Sequence, residues 1–248
     1  DFSINNSPLN ATESEQLRAA ISILERIGGG QEFNWAGDLA PKLTEKFGFQ
    51  NKEQKVMGYE SNEDYEGNQF ITPLFNAIIN KRVLSIQYEP FGHNRQIHNL
   101  HPHYLKQYNN RWYILGKNED NNIDTWILAL DRIKEIEELD TEYENTKIDW
   151  EEYFSDFIGV TKLQNEVPQE VKLLFTPQQA SYILTKPLHE SQKIKRLEDD
   201  SLEVRVKLIL NYELKSKILS FGAGVKVLEP ESLKLDIKER LRSTLEQY

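Results

Sequence analysis

The chain of 248 residues contains no cysteine and only one methionine. The absence of cysteine excludes disulfide bonds, thiolate zinc sites and cysteine nucleophiles, and it agrees with a reducing cytoplasm. No apolar run approaches the roughly 20 residues that span a bilayer. The first residues have neither the basic region nor the apolar region of a signal peptide. We therefore expect a cytoplasmic protein with no membrane partner.

Motifs of catalysis are also missing. Gly28-Gly29-Gly30 follows a predicted helix instead of linking a strand to a helix, and it does not form a phosphate-binding loop. No Gly-x-Ser-x-Gly nucleophile elbow is present. The acidic pairs Glu151-Glu152 and Asp199-Asp200 fall at a predicted helix start and a predicted turn, which accounts for them without catalysis. We expect no enzymatic activity and no cofactor, and an enzyme is the weakest of the alternatives.

Positive charge is scarce in the chain but is concentrated in one segment. The formal net charge is -10, yet residues 81–113 carry five Lys or Arg residues against one acid, Glu89. The five cations are Lys81, Arg82, Arg95, Lys106 and Arg111. Four of the five histidines and several aromatic residues lie in the same segment. Cationic and aromatic groups together suit phosphates and bases, which predicts an anionic ligand. The alternative is a solvated strand face above aromatic residues of the core.

The first third of the chain is predicted to be helical. Thr12-Glu13-Ser14-Glu15 forms a capping box, and apolar residues then recur at helical spacing from Leu17 to Ile27. A second helix is predicted over 36–47, and the polar residues 50–68 are predicted to be a linker or irregular connection. Thr72-Pro73 opens a further helix, because proline is tolerated at the first helical position.

From Val83 the apolar period changes from about 3.6 to about 2 residues, which is typical of half-buried strands. Strands are predicted at 83–89, 96–100, 104–107, 111–116, 125–130 and 134–139. Five or six short antiparallel strands separated by tight turns predict a small barrel. Within one strand, Trp112 and Ile114 take one face and Tyr113 takes the other.

The last third predicts a second module. After a short helix at 150–157, strands and helices alternate in the order β-α-β-β-α-β, and a final helix covers 231–247. This order is that of a ferredoxin-like fold. The predicted fold class is therefore α+β. The predicted domains are a helical connector at 1–70, a barrel at 71–142, a linker with a short helix at 143–167, and a ferredoxin-like module at 168–248.

The histidine cluster could supply imidazole ligands to zinc through His98, His101 and His103. However, the chain has no thiolate, no His-x-x-x-His pair on a helix is nearby, and few carboxylates lie close in sequence. The sequence therefore favours hydrogen-bonded strand residues or ligand contacts, and we expect no metal.

Several spaced motifs resemble the WYL domain, which is named for a Trp-Tyr-Leu triplet. The chain has Trp112-Tyr113-Ile114, preceded by His101-Pro102-x-x-Leu105-Lys106 and followed by Leu130-Asp131-Arg132-Ile133. Isoleucine thus replaces the third residue of the triplet. Residues 171–230 resemble the C-terminal extension that accompanies WYL domains, so the resemblance covers about two thirds of the chain.

The resemblance implies the effector-sensing part of a bacterial transcription regulator. It implies a small Sm/SH3-like barrel that binds a nucleic-acid or nucleotide ligand, a ferredoxin-like extension, homodimers, and promoter DNA bound by a winged helix-turn-helix. The start of this chain lacks a basic recognition helix and an initiator methionine, so we expect that reader to be missing. The ligand-binding residues carried over are Tyr88, His101, Tyr104, Lys106, Arg111, Tyr113 and Arg132, and either Arg95 or His98 supplies a further contact.

Two hypotheses follow for the function of this region. In the first, single-stranded nucleic acid or a nucleotide binds the basic and aromatic face, where stacking contributes roughly 1–3 kcal/mol per base. In the second, the region is a dimerisation or protein-interaction module without a ligand, in which the aromatic residues form the core and the charges form the rim.

Overall fold

The computed structural model describes residues 12–13, 16–17, 66–163 and 165–248. Thr12-Glu13 and Gln16-Leu17 are helical. Residues 66–70 of the predicted connector are also described. Its remaining residues lie outside the described ranges, including Ser14 and Glu15 of the capping box, the predicted helix at 36–47 and most of the linker at 50–68. The chain divides into two compact units, the first ending at Thr146 and the second beginning at Lys147.

The first unit contains helix α1 (Ile71–Ile79) and one antiparallel sheet. Its strands are β1 (Val83–Tyr88), β2 (Gln96–Tyr108), β3 (Arg111–Asn118), β4 (Ile123–Ala129) and β5 (Ile133–Leu139). The order β4-β3-β2-β1-β5 leaves β4 and β5 at opposite edges, so the described strands form an open sheet and the closed barrel is not seen. A three-residue turn, Leu130–Arg132, nevertheless joins these two edges. The sheet must therefore curl until its edges approach at that turn.

Strand β2 is one long strand with a bulge, where the sequence predicted two separate strands. The pairing of β2 with β3 shifts between Pro102 and Tyr104, which leaves His103 as the extra residue. A bulge reverses which residues face each side of a sheet. Leu100 therefore faces the core before the bulge, and Leu105 does so after it.

The core of the first unit lies between α1 and one face of the sheet. Leu74 and Ala77 of α1 are buried there. The buried sheet residues around them include Leu84, Ile86, Leu100, Ile114, Leu128 and Ile133. Burying each such side chain contributes about 1.5–3 kcal/mol. Trp112 packs against this core, which confirms the predicted division of β3 into two faces.

The second unit contains the predicted ferredoxin-like order and a short preceding helix, α2 (Trp150–Phe154). The strands are β6 (Gln169–Phe175), β7 (Lys193–Arg196), β8 (Leu202–Leu208) and β9 (Val225–Glu229). The helices are α3 (Pro177–Thr185), α4 (Tyr212–Leu219) and the final α5 (Glu231–Leu245). The sheet order β7-β8-β6-β9 is antiparallel throughout, as this fold requires.

Alternating apolar residues place the core of the second unit. Val171, Leu173 and Phe175 of β6 are fully buried and pack against helices α3 and α4. Asn211 caps α4, because its side chain accepts a hydrogen bond from the Leu214 N–H at 3.0 Å.

Candidate ligand-binding face

Two predicted ligand contacts lie inside the first unit. Tyr88 is 7% exposed and His98 is 6% exposed. The Tyr88 hydroxyl accepts from the Ala129 N–H at 3.3 Å, and Nδ1 of His98 accepts from the Asn118 side-chain amide, also at 3.3 Å. Burial lowers the pKa of His98 and thus favours its neutral form, although Asp120 acts in the opposite direction. The structure gives both residues a role in the core.

His101 is also completely buried. Its Nε2 lies 2.9 Å from a carboxylate oxygen of Glu119, and its Nδ1 accepts from the Glu144 N–H at 3.0 Å. Because both ring nitrogens are already bonded within the protein, His101 is not available to a ligand at the surface. Arg95 is exposed and pairs with Glu89 at 3.4 Å, so of the two alternatives Arg95 and His98, only Arg95 is accessible.

The remaining predicted residues share one side of the sheet. Lys106 pairs directly with Tyr113 across β2 and β3, and Tyr108 pairs with Arg111. Residues directly opposite each other in an antiparallel pair project from the same face. Tyr104 lies two positions before Lys106 and therefore projects from that face as well. We define the cationic face as Tyr104, Lys106, Arg111, Tyr113 and Arg132, all of which are half-buried.

Asp131 fixes the position of Arg111. The guanidinium of Arg111 lies 3.3 Å from the Asp131 carboxylate, whose side chain is only 10% exposed. Arg111 also forms a hydrogen bond with Tyr113. Burial raises the pKa of the Tyr113 phenol, whereas Arg111 and Arg132 lower it and Asp131 raises it. These charges therefore lie close together around one phenol.

Arg132 is the best placed cation for an added anion. Its guanidinium lies 4.3 Å from the ring centre of Phe91, which is itself 66% exposed. Its Nε is buried and has no hydrogen-bond partner among the described residues. Because Phe91 is exposed, an anion can approach the Arg132 guanidinium beside that ring.

Lys106 has the electrostatics of a cation that benefits from an anionic partner. Burial lowers the pKa of its ammonium group, because the charged form is poorly solvated at this position. A phosphate next to Lys106 would offset that loss of solvation.

Sequence reasoning left two residues of this region out of the predicted site. They are Phe91 and Asp131, neither of which is among the ligand-binding residues that the resemblance implies. An exposed aromatic residue within a polar turn is the signal that could have identified Phe91. The role of Asp131 could be recognised only from the structure, because its partner Arg111 lies twenty residues earlier in the chain.

Within the described ranges, no group of three His, Asp or Glu residues is placed to hold a metal ion. His98, His101 and His103 instead make hydrogen bonds to protein groups. None of the helices in the described part of the chain combines the length and the apolar character needed to cross a bilayer.

The chain thus joins, in sequence, a curled antiparallel sheet with a cationic face to a ferredoxin-like module. Residues 69–138 match the WYL domain family, and residues 168–245 match the WCX domain family. The chain therefore contains a WYL domain followed by a WCX domain.

Several solved structures are similar to this chain, including the following two. One is the proteasome accessory factor B/C (PafBC) of Arthrobacter aurescens, with 20% identity and a TM-score of 0.32 over 84% of this chain and 30% of that one. The other is a CRISPR Cas-related protein, with 13% identity and a TM-score of 0.43 over 73% of this chain and 50% of that one. The chain thus spans half or less of the length of each structure. No curated protein matches the sequence.

Proposed function

We propose that this chain is the effector-sensing region of a cytoplasmic transcription regulator, and that its effector is single-stranded nucleic acid or a nucleotide bound on the cationic face. The observation that carries the proposal is the convergence of Lys106, Arg111 and Arg132 around Tyr113, in a chain whose net charge is -10. Locally concentrated cations attract anionic ligands even when the whole protein is acidic.

The face offers both kinds of contact that a nucleotide needs. Arg132 and Lys106 can pair with phosphate oxygens, since each is a partly desolvated cation. Phe91 and Tyr104 offer ring faces on which bases can stack. Asp131 holds Arg111 beside Tyr113, so the ligand meets a preformed arrangement.

In the complete regulator, ligand binding acts by selecting one arrangement of a homodimer. A ligand shifts such an equilibrium only through its different affinity for the two arrangements. A helix-turn-helix outside this chain would then bind promoter DNA with a changed affinity.

The direct test is a fluorescence-polarisation titration of the chain with a labelled single-stranded oligonucleotide over a range of salt concentrations. We expect saturable binding that weakens with salt, with a slope of about 0.7 per phosphate contact in a plot of log affinity against log salt. Unlabelled duplex of the same sequence and free nucleotides serve as competitors. The absence of saturable binding to every one of these ligands would support the ligand-free interaction module instead.

Replacing Arg132 with glutamine should weaken oligonucleotide binding about tenfold, because one charge-assisted hydrogen bond is lost. It should also lower the salt slope by about 0.7. The matched control is Arg82→Gln, which removes the same charge from the exposed start of β1, where Arg82 pairs with Glu138. Arg82 lies about 20 Å along β1 from the end where Glu89 bonds to the Arg132 carbonyl. Equal losses in the two variants would show that only net charge matters, and would contradict a defined site.

A further inference from the structure

Residues at the bulge of β2 form hydrogen bonds with the segment that follows β5. These contacts are separate from the cationic face. The Glu144 N–H donates to Nδ1 of His101 at 3.0 Å, and Nε2 of His103 donates to the Glu144 carbonyl at 2.8 Å. The Tyr143 hydroxyl donates to the Pro102 carbonyl at 2.7 Å. His101 and His103 thus bind the N–H and the carbonyl of Glu144, and we call this pair of hydrogen bonds the clasp. We define Tyr143 and Glu144 as the strap.

Side-chain contacts reinforce the clasp. The Tyr143 ring meets the two imidazoles edge-on, with centroid distances of 5.8 Å to His101 and 5.6 Å to His103. Lys117 of β3 forms an ion pair with the Glu144 carboxylate. The strap leads into Thr146, where the first unit ends.

The hydrogen bonds require both rings to be neutral. Nδ1 of His101 accepts a hydrogen bond and so carries no proton, while its Nε2 donates to Glu119. Nε2 of His103 carries the proton, and its Nδ1 is buried without a partner among the described residues. A second proton on His101 would oppose the Glu144 N–H. A second proton on His103 would be a buried donor without an acceptor.

We propose that the strap is a pH-sensitive attachment, bound to β2 while His103 is neutral and released when His103 takes up a second proton. Its release detaches Tyr143 and Glu144 from β2 without unfolding the sheet. The inference rests on hydrogen-bond geometry alone, and it is independent of any ligand on the cationic face.

The charged surroundings fix the direction of the effect. Burial lowers the pKa of His103 from 6.5; the Glu144 carbonyl raises it, His101 lowers it, and the carboxylates of Asp124 and Glu144 raise it. Because the folded-state pKa lies below the unfolded value, the contribution of His103 is complete above about pH 6.5. It is lost as the pH falls through the lowered value. The Lys117 ion pair persists in that range, because Lys117 lowers the pKa of Glu144.

Hydrogen–deuterium exchange at the Glu144 amide tests whether the strap is released at low pH. After correction for the intrinsic pH dependence of exchange, its protection should fall tenfold or more between about pH 7.5 and about pH 5.5. Amides of the central strand β3 should keep their protection. An unchanged Glu144 protection, or a loss in parallel with β3, would overturn the proposal.

Two variants make the test specific. His101→Asn with His103→Gln keeps one acceptor and one donor but removes titration, so the protection of Glu144 should no longer depend on pH. His189→Gln is the control, because burial also lowers the pKa of His189, which lies in the second unit and bonds to Ser191. That control should retain the full fall in protection. A fall that persists in the double variant, or that disappears in His189→Gln, would contradict the assignment to the clasp.

Discussion

Replacing Gly116 with alanine should destabilise the first unit by about 3 kcal/mol or more. A Cβ atom at this position would lie 2.1 Å from the His101 carbonyl oxygen and 2.9 Å from its carbon. Both neighbours are backbone atoms of β2, so neither can rotate away. Accommodating the methyl group would require β2 and β3 to separate next to the bulge that positions the cationic face. Urea unfolding followed by hydrogen–deuterium exchange of the β3 amides would measure the loss in the first unit.

A second glycine provides the control for this substitution. Gly92 has a φ of +73° and no atom within 4 Å of an added Cβ, so its substitution brings backbone strain without a clash. Gly92→Ala should therefore cost only about 1–2 kcal/mol. If Gly116→Ala cost no more than Gly92→Ala, the close approach of β2 and β3 would be contradicted.

Replacing Asn118 with alanine should cost about 2–3 kcal/mol, because it removes a completely buried amide that serves two groups. The Asn118 side chain donates to Nδ1 of His98 and accepts from the Asn121 N–H at 3.0 Å. Alanine would leave an unsatisfied acceptor on His98 and an unsatisfied donor at the β3–β4 turn. The same urea unfolding experiment would measure this change.

Asn121→Ala is the matched control for Asn118, because only the backbone of Asn121 takes part in that bond. Its effect should stay within about 0.5 kcal/mol. The pair also tests the role assigned to His98. A variant at Asn118 that kept its stability but lost oligonucleotide affinity would return His98 to the ligand-binding residues.

The ferredoxin-like module was predictable because its sequence signals are local. Alternating apolar residues mark β6 and β8, Asn211 marks the start of α4, and Gly222 follows its end. Each signal depends on neighbours within a few residues, so periodicity and capping rules suffice. Thr176 occupies the corresponding position before α3, but its side chain makes no capping hydrogen bond.

The bulge in β2 could not be predicted from local pattern. Proline inside an alternating run favours a break, since it lacks the N–H that a central strand needs. The structure instead keeps one strand and absorbs Pro102 at a change of register opposite Gly116. That choice depends on the contact between two strands, and it determines that Lys106 faces away from the core.

The composition of the site was predictable only in part, for the same reason. A segment rich in histidine and aromatic residues indicates that some of these side chains contact a ligand. It does not indicate which of these side chains are buried by the sheet. Burial separated Tyr88, His98 and His101 from the accessible cations. The clasp between β2 and the strap joins residues about forty positions apart, and the sequence pattern contains no sign of it.

Photo-cross-linking of the chain to a single-stranded oligonucleotide containing 4-thiothymine, followed by peptide mass spectrometry, tests the central claim most directly. We predict cross-links at Phe91, Tyr104 or Tyr113. Tyr182 and Tyr212 of the second unit are 70% and 65% exposed, so random labelling would favour them. Cross-links confined to those two tyrosines, or none at an oligonucleotide concentration that saturates binding, would contradict a nucleic-acid site on the cationic face.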